Sequence, residues 1–114
     1  TNKRLKQGEI WYASLDPTKG SEQAGHRPVV ILSGNMLNEH LKVVITAPLT
    51  TKIKNYRGNP VLTPNETNGL SEISELMIFH IRSISKDRLQ KCIGKIEKTE
   101  LNLALDTLED ILRY

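Results

Sequence analysis

The sequence predicts a mainly β fold of the α+β class: a small, strongly curved antiparallel sheet or partial barrel covered by one C-terminal helix. Short β-branched and aromatic runs recur at regular spacing, Gly, Pro, Asn and Asp separate them, and the hydrophobic period turns helical only in the last segment. The chain has 114 residues, 38% of them hydrophobic and 25% charged. Those proportions fit a single domain over 1–114 with a core that needs neither disulfides nor metal.

The first strand is expected over residues 8–15, Gly-Glu-Ile-Trp-Tyr-Ala-Ser-Leu, between Gly8 and the turn-forming pair Asp16-Pro17. Residues 16–27 have two glycines, a proline and nothing apolar larger than Ala24, which predicts a long loop. Pro28 then opens a continuous apolar run to Ser33, a buried strand whose first residue tolerates a missing donor. A helical turn around Met36 and Leu37 leads to a third strand over 42–50, with Pro48 marking an edge or a bulge. The basic loop 51–58 follows, then a short strand at 60–63 and a polar loop at 64–72. A long strand is expected from Leu76 to Ser85 and a shorter one from Gln90 to Ile96. Leu101, Ala104, Leu105, Leu108, Ile111 and Leu112 then fall on one helical face, with Thr99 as the expected N-cap.

Charge is unevenly distributed. Residues 1–60 hold 9 Lys and Arg against 4 Asp and Glu, whereas residues 61–114 hold 7 against 9. The first half is therefore the place to look for an anionic ligand, although a net charge of +3 is also ordinary for a soluble domain. Cys92 is the only cysteine, so neither an internal bridge nor a Cys-x-x-Cys site is possible, and a reducing compartment fits. The apolar runs are far shorter than the roughly twenty residues that span a bilayer, and Lys3, Arg4 and Lys6 lead into a strand rather than a signal-type apolar stretch. No membrane association is expected.

No P-loop, dinucleotide-binding glycine fingerprint, His-Glu-x-x-His helix or Gly-x-Ser-x-Gly elbow occurs, and His26, His40 and His80 are too scattered for a metal site. No metal and no cofactor are expected. Two polar clusters at strand ends stand out: Glu22, His26 and Arg27 before the second strand, and Thr50-Thr51 beside the basic loop. Polar side chains held at the ends of a rigid sheet are a usual place for chemistry.

The stretch Gly8-Glu9-Ile10-Trp11, followed by Leu15-Asp16-Pro17-Thr18-Lys19-Gly20-Ser21-Glu22-Gln23-Ala24-Gly25-His26-Arg27-Pro28-Val29-Val30, resembles the N-terminal signature of the MazF/PemK toxins. Pro48-Leu49-Thr50-Thr51 is similar to that family's second block, and Ile81-Arg82-Ser83-Ile84-Ser85-Lys86-Asp87-Arg88-Leu89 to its third. The resemblance covers essentially the whole chain in the expected order. It implies a Src-homology-three-like barrel of the CcdB/Kid/MazF type and a homodimer. It also implies a metal-independent endoribonuclease, an mRNA interferase, that cuts single-stranded mRNA at specific sequences to 2′,3′-cyclic phosphate and 5′-hydroxyl ends. The implied partner is an antitoxin with an acidic, disordered tail that folds over the RNA groove in the bacterial cytoplasm.

By the same resemblance Arg27 matches the essential arginine, whose planar fork suits a phosphate. Thr50 matches the catalytic threonine, with Thr51 as its neighbour should the register differ by one. Glu22 matches a loop carboxylate suited to a general base, though a solvated loop glutamate is a close alternative. His26 could carry a proton, because imidazole is the side chain that changes charge near physiological pH. Lys52, Lys54 and Arg57 would contact phosphates, and Tyr56 would stack on a base. Trp11 could stack too, or simply belong to the core. Many members carry an acidic residue and a glutamine where this chain has Phe79-His80, so catalysis is expected to rest on Arg27 and Thr50. Arg82 is either a phosphate contact or an internal ion-pair partner, the structural role being the default. A CcdB-like toxin that inhibits a protein, or an RNA-binding module of the same fold without catalysis, are the alternatives.

Overall fold

A computed structural model of the chain describes residues 4–14 and 26–114. Seven strands form one curled antiparallel sheet: β1 (Glu9–Ser14), β2 (His26–Ile31), β3 (Val43–Thr50), β4 (Val61–Leu62), β5 (Ser74–Leu76), β6 (Arg82–Ser85) and β7 (Leu89–Lys95). Their order is β4-β5-β3-β2-β1-β7, with β6 on the same edge of β3 as β5. A short helix α1 (Asn35–His40) joins β2 to β3, and α2 (Lys98–Arg113) closes the chain. The sheet is a half-barrel. Register shifts between β1 and β7 at Ile10/Trp11 and Tyr12/Ala13 bend it, as bulges do. The Lys95 amide donates to the Thr67 carbonyl at 3.0 Å, so the turn after β4 reaches across to β7.

Side-chain alternation gives the sheet two apolar faces. Ile10, Val30, Ala47, Leu49, Leu76 and Ile78 point to one, where Ala104, Leu101 and Leu108 of α2 cover them. Ala13, Val29, Ile31, Val44, Ile84 and Leu89 point to the other and pack with Leu5 and the half-buried Trp11. Trp11 is thus part of the core, and its indole N–H donates to Glu9 Oε1 at 3.0 Å.

Four expectations need correction. β2 begins at His26, two residues before Pro28, so His26 and Arg27 are strand residues paired with Ser14 and Ala13. The helix α2 is capped by Glu97 and not Thr99: Glu97 and Glu100 form a reciprocal capping box, with the Glu97 amide donating to Glu100 Oε1 at 2.7 Å. The apolar stripe of α2 is covered only in its first turns, and Leu112 is 76% exposed.

The fourth concerns the long strand expected from Leu76 to Ser85, which is broken into β5, a 3₁₀ turn at Ile78–His80, and β6. Proline chemistry in the neighbouring strand accounts for the break. On β3, Thr46 pairs with Arg82 of β6, and the next residue facing that edge is Pro48. Its carbonyl accepts from the Met77 amide at 2.9 Å, but it has no N–H to return. The ladder stops there. The 3₁₀ turn buries Ile78 and leaves Phe79 and His80 exposed.

Candidate active site

A second proline opens the other edge of β3. Val29 pairs with Pro48, Val30 with Ala47 and Ile31 with Thr46; the next residue facing β3 is Pro28, which again has no N–H. Carried two residues past the last pair, this register sets Arg27 across from Thr50. Both lie just beyond the point where β2 and β3 stop bonding.

Beside this opening lies a pocket of about 470 Å³ lined by Arg27, Val29, Thr46, Pro48, Phe79, His80, Ile81 and Arg82. It sits on the sheet face opposite α2, and its floor is Val29, Thr46 and Pro48. Phe79 and His80 line it from the 3₁₀ turn. Two guanidiniums and an imidazole line it, and no carboxylate does among the described residues. Neither Arg27 nor Arg82 makes an ion pair among the described residues, so both forks are available to an anion. Arg82 occupies an exposed position in the pocket wall.

The sequence-derived candidates divide as follows. Arg27 lines the pocket, His26 precedes it on the strand, exposed, and Thr50 stands at the open end of the ladder. Thr50 Oγ1 accepts from the Lys52 amide at 3.1 Å, which leaves its own proton to donate elsewhere. Thr51, Lys52, Lys54, Tyr56 and Arg57 are all exposed on the adjoining loop. Tyr56 meets Phe79 edge-on, with ring centroids 5.9 Å apart and an interplanar angle of 70°. Glu22 lies outside the described residues, as do Gly20, Gly25 and Asp16-Pro17.

The residue that sequence reasoning missed is Glu75. It is fully buried, yet its carboxylate accepts from the amides of Lys54, Asn55 and Tyr56 and from Asn59 Nδ2. Burial by itself raises its pKa; the bonds from Asn55, Asn59, Lys54 and Tyr56 outweigh that and hold the carboxyl below its ordinary value of 4.5. The run Ser74-Glu75-Leu76-Met77 carries no local sign of this role, because the donors that hold the carboxylate lie in the loop far upstream. At Cys92, burial and then the Glu9 charge push the thiol up, away from the thiolate a nucleophile needs. Among the described residues no group of three or more His, Cys, Asp or Glu side chains is placed to hold a metal ion, and no helix is long and apolar enough to cross a membrane.

Residues 6–112 match the family described as PemK-like, MazF-like toxin of type II toxin–antitoxin system. The chain belongs to that family. It is 33% identical over 102 residues to the endoribonuclease MazF9 of Mycobacterium tuberculosis, covering 85% of this chain and 86% of that protein. To the endoribonuclease toxin MazF of Escherichia coli K12 it is 44% identical over 64 residues, 56% of this chain and 58% of the relative. The fold matches MazF in a MazE–MazF crystal structure from Deinococcus radiodurans with a TM-score of 0.81 at 22% identity, covering 97% of both chains. A mycobacterial endoribonuclease solved with its cognate antitoxin matches with a TM-score of 0.73 at 22% identity, over 94% of this chain and 96% of that one.

Proposed function

We propose that this chain is the toxin of a type II toxin–antitoxin pair and acts as an endoribonuclease on single-stranded mRNA, at specific sequences and without a metal. The observation that carries the reading is the pocket in which Arg27 and Arg82, free of ion pairs among the described residues, stand beside the opening that Thr50 flanks. Family membership over residues 6–112 and relatives named as endoribonucleases support it.

Cleavage moves the phosphoryl group from the 5′-oxygen of the next nucleotide onto the 2′-oxygen of the ribose that already carries it at its 3′-oxygen. The 2′-oxygen bonds to phosphorus as its proton leaves to a base, the bond to the 5′-oxygen breaks, and that oxygen takes up a proton. The products are a 2′,3′-cyclic phosphate and a 5′-hydroxyl. Arg27 stabilises the charge that grows on the non-bridging oxygens, and Arg82 holds an adjacent phosphate. Thr50 donates its hydroxyl proton to a phosphate oxygen. Glu22 is the proposed base, with His26 and His80 as the imidazoles available for proton transfer. Lys52, Lys54 and Arg57 guide the backbone, and Tyr56 stacks on a base.

The active form is proposed to be a homodimer of single-domain chains in the bacterial cytoplasm, inhibited by an antitoxin whose acidic, disordered tail lies over the cationic pocket. The test is incubation with a long unstructured RNA in excess chelator, with product ends mapped. Discrete cuts bearing cyclic phosphates are expected. A folded protein that binds the RNA but leaves it intact would replace the enzyme with a binding-only toxin.

A further inference from the structure

Glu75 is 0% exposed, and its partners are all uncharged donors. Oε1 takes the amides of Lys54 and Asn55, each at 2.7 Å; Oε2 takes the Tyr56 amide at 2.9 Å and Asn59 Nδ2 at 3.0 Å. Three consecutive amides converge on one carboxylate because Asn55, at φ 59°, adopts the left-handed conformation. Alternating hand turns successive N–H groups to one side and makes an anion nest. Here the nest is filled from within the protein. Its amides are already committed to Glu75, while the Lys54 and Tyr56 side chains remain exposed.

The same network reaches the pocket. Asn59, which donates to Glu75, accepts from the Ile78 amide through Oδ1 at 3.3 Å. Ile78 begins the 3₁₀ turn that carries Phe79 and His80 into the pocket wall. Glu75 thus fixes the backbone beneath Tyr56 directly and the backbone beneath Phe79 through Asn59. The two rings meet edge-on at 5.9 Å, and they stay 46% and 55% exposed. Exposed aromatic faces beside guanidiniums that make no ion pair among the described residues suit an unpaired nucleobase next to a bound phosphate.

We infer that Glu75 is a positioning residue: by holding loop 51–58 and the Ile78–His80 turn together it sets a Tyr56–Phe79 aromatic edge, and this edge is the subsite for a nucleobase flanking the cut phosphate. The inference rests on the proposed RNA cleavage and adds the site that selects the base. Glu75 itself touches no substrate, so its loss acts on affinity and base choice and not on the chemical step.

The test compares wild type with Glu75→Gln, which keeps the shape but turns an amide NH₂ toward backbone donors. The RNA is a short single strand containing a mapped cut site, and the readouts are KM, kcat and amide hydrogen exchange. One stacked base corresponds to roughly a tenfold change or more, so KM is expected to rise about tenfold with kcat within about twofold. Exchange at the 54–56 amides is expected to accelerate at least about tenfold, while amides of β1 to β3 keep wild-type rates. Phe79→Ala and Tyr56→Ala, both at exposed positions, are expected to raise KM similarly and to flatten the preference at one base position next to the cut.

A fall in kcat at unchanged KM, or wild-type exchange at 54–56 in Glu75→Gln, would overturn the inference. Should Glu75→Gln not fold, the aromatic variants decide: wild-type KM and base preference in both would overturn it. A wild type that cuts no RNA would remove the parent reading and the base subsite with it. The exchange comparison separates that failure from failure of the Glu75 link.

Discussion

Gly58 closes the basic loop, and the structure makes its replacement by alanine costly in two separable ways. Its φ is 91°, a conformation that a side chain resists by about 1–2 kcal/mol. A Cβ at this position would stand 2.9 Å from Thr107 Oγ1 and 3.0 Å from Thr107 Cγ2. That hydroxyl donates to the Gly58 carbonyl at 2.6 Å and ties the loop to α2, and displacing it costs about 1 kcal/mol more. Gly58→Ala is therefore expected to lose about 2–3 kcal/mol, a fall in Tm of roughly 10–20 °C for a domain of this size. Urea unfolding followed by the fluorescence of Trp11, the only tryptophan, measures it. In the Thr107→Ala background the contact is already gone, and Gly58→Ala should then cost only the backbone part, about 1–2 kcal/mol. A Gly58→Ala protein within about 0.5 kcal/mol of wild type, or costs that simply add with Thr107→Ala, would refute the reasoning.

Glu75 gives stability a definite pH dependence. Its folded pKa lies below 4.5, so its contribution is fully present above that value and is lost as pH falls through the folded pKa. The stability gap between wild type and Glu75→Gln should be widest near neutral pH and shrink toward pH 3, as urea unfolding across that range would register; a constant gap contradicts the carboxylate assignment. On the loop, Lys52→Ala, Lys54→Ala and Arg57→Ala should each weaken RNA binding about equally across sequences. Each should also make the salt slope of binding shallower by about 0.7. Titrations of a single-stranded RNA at several salt concentrations read both, and an unchanged slope would remove that residue from the RNA path.

The sheet was legible because its strands carry their own signal. Apolar runs between Gly, Pro and Asp punctuation placed β1, β2 and β3 close to their observed limits, and the change of period gave α2. Most of the failures share one cause, which is that the deciding partner lies far along the chain; the helix cap, a local choice, is the exception. Residues 76–85 look like one strand until Pro48, on the neighbouring strand, withholds a donor. The position of Arg27 past the end of its ladder depends on Pro28 facing β3. Glu75 carries no local mark of burial, since its amide partners lie about twenty residues upstream. At α2, Thr99 looked like the cap, but the reciprocal pair Glu97 and Glu100 satisfies two donors where a threonine satisfies one. For the site, the family resemblance singled out Arg27 and Thr50 and the strand register set them across from each other. Arg82 and His80 joined them only once the 3₁₀ turn was known.

Arg27, as the group that stabilises charge on the reacting phosphate, is the residue on which the proposed cleavage depends most. The direct measurement is the single-turnover rate of cleavage at one mapped site in excess chelator, for wild type, Arg27→Ala and Arg27→Lys, at RNA concentrations that saturate each. A loss of about 10²–10³ or more is expected for Arg27→Ala, with only partial recovery by lysine, which lacks the planar fork, and with RNA binding retained in both. Cleavage by Arg27→Ala at the wild-type rate, at the same site and with the same ends, would contradict that role.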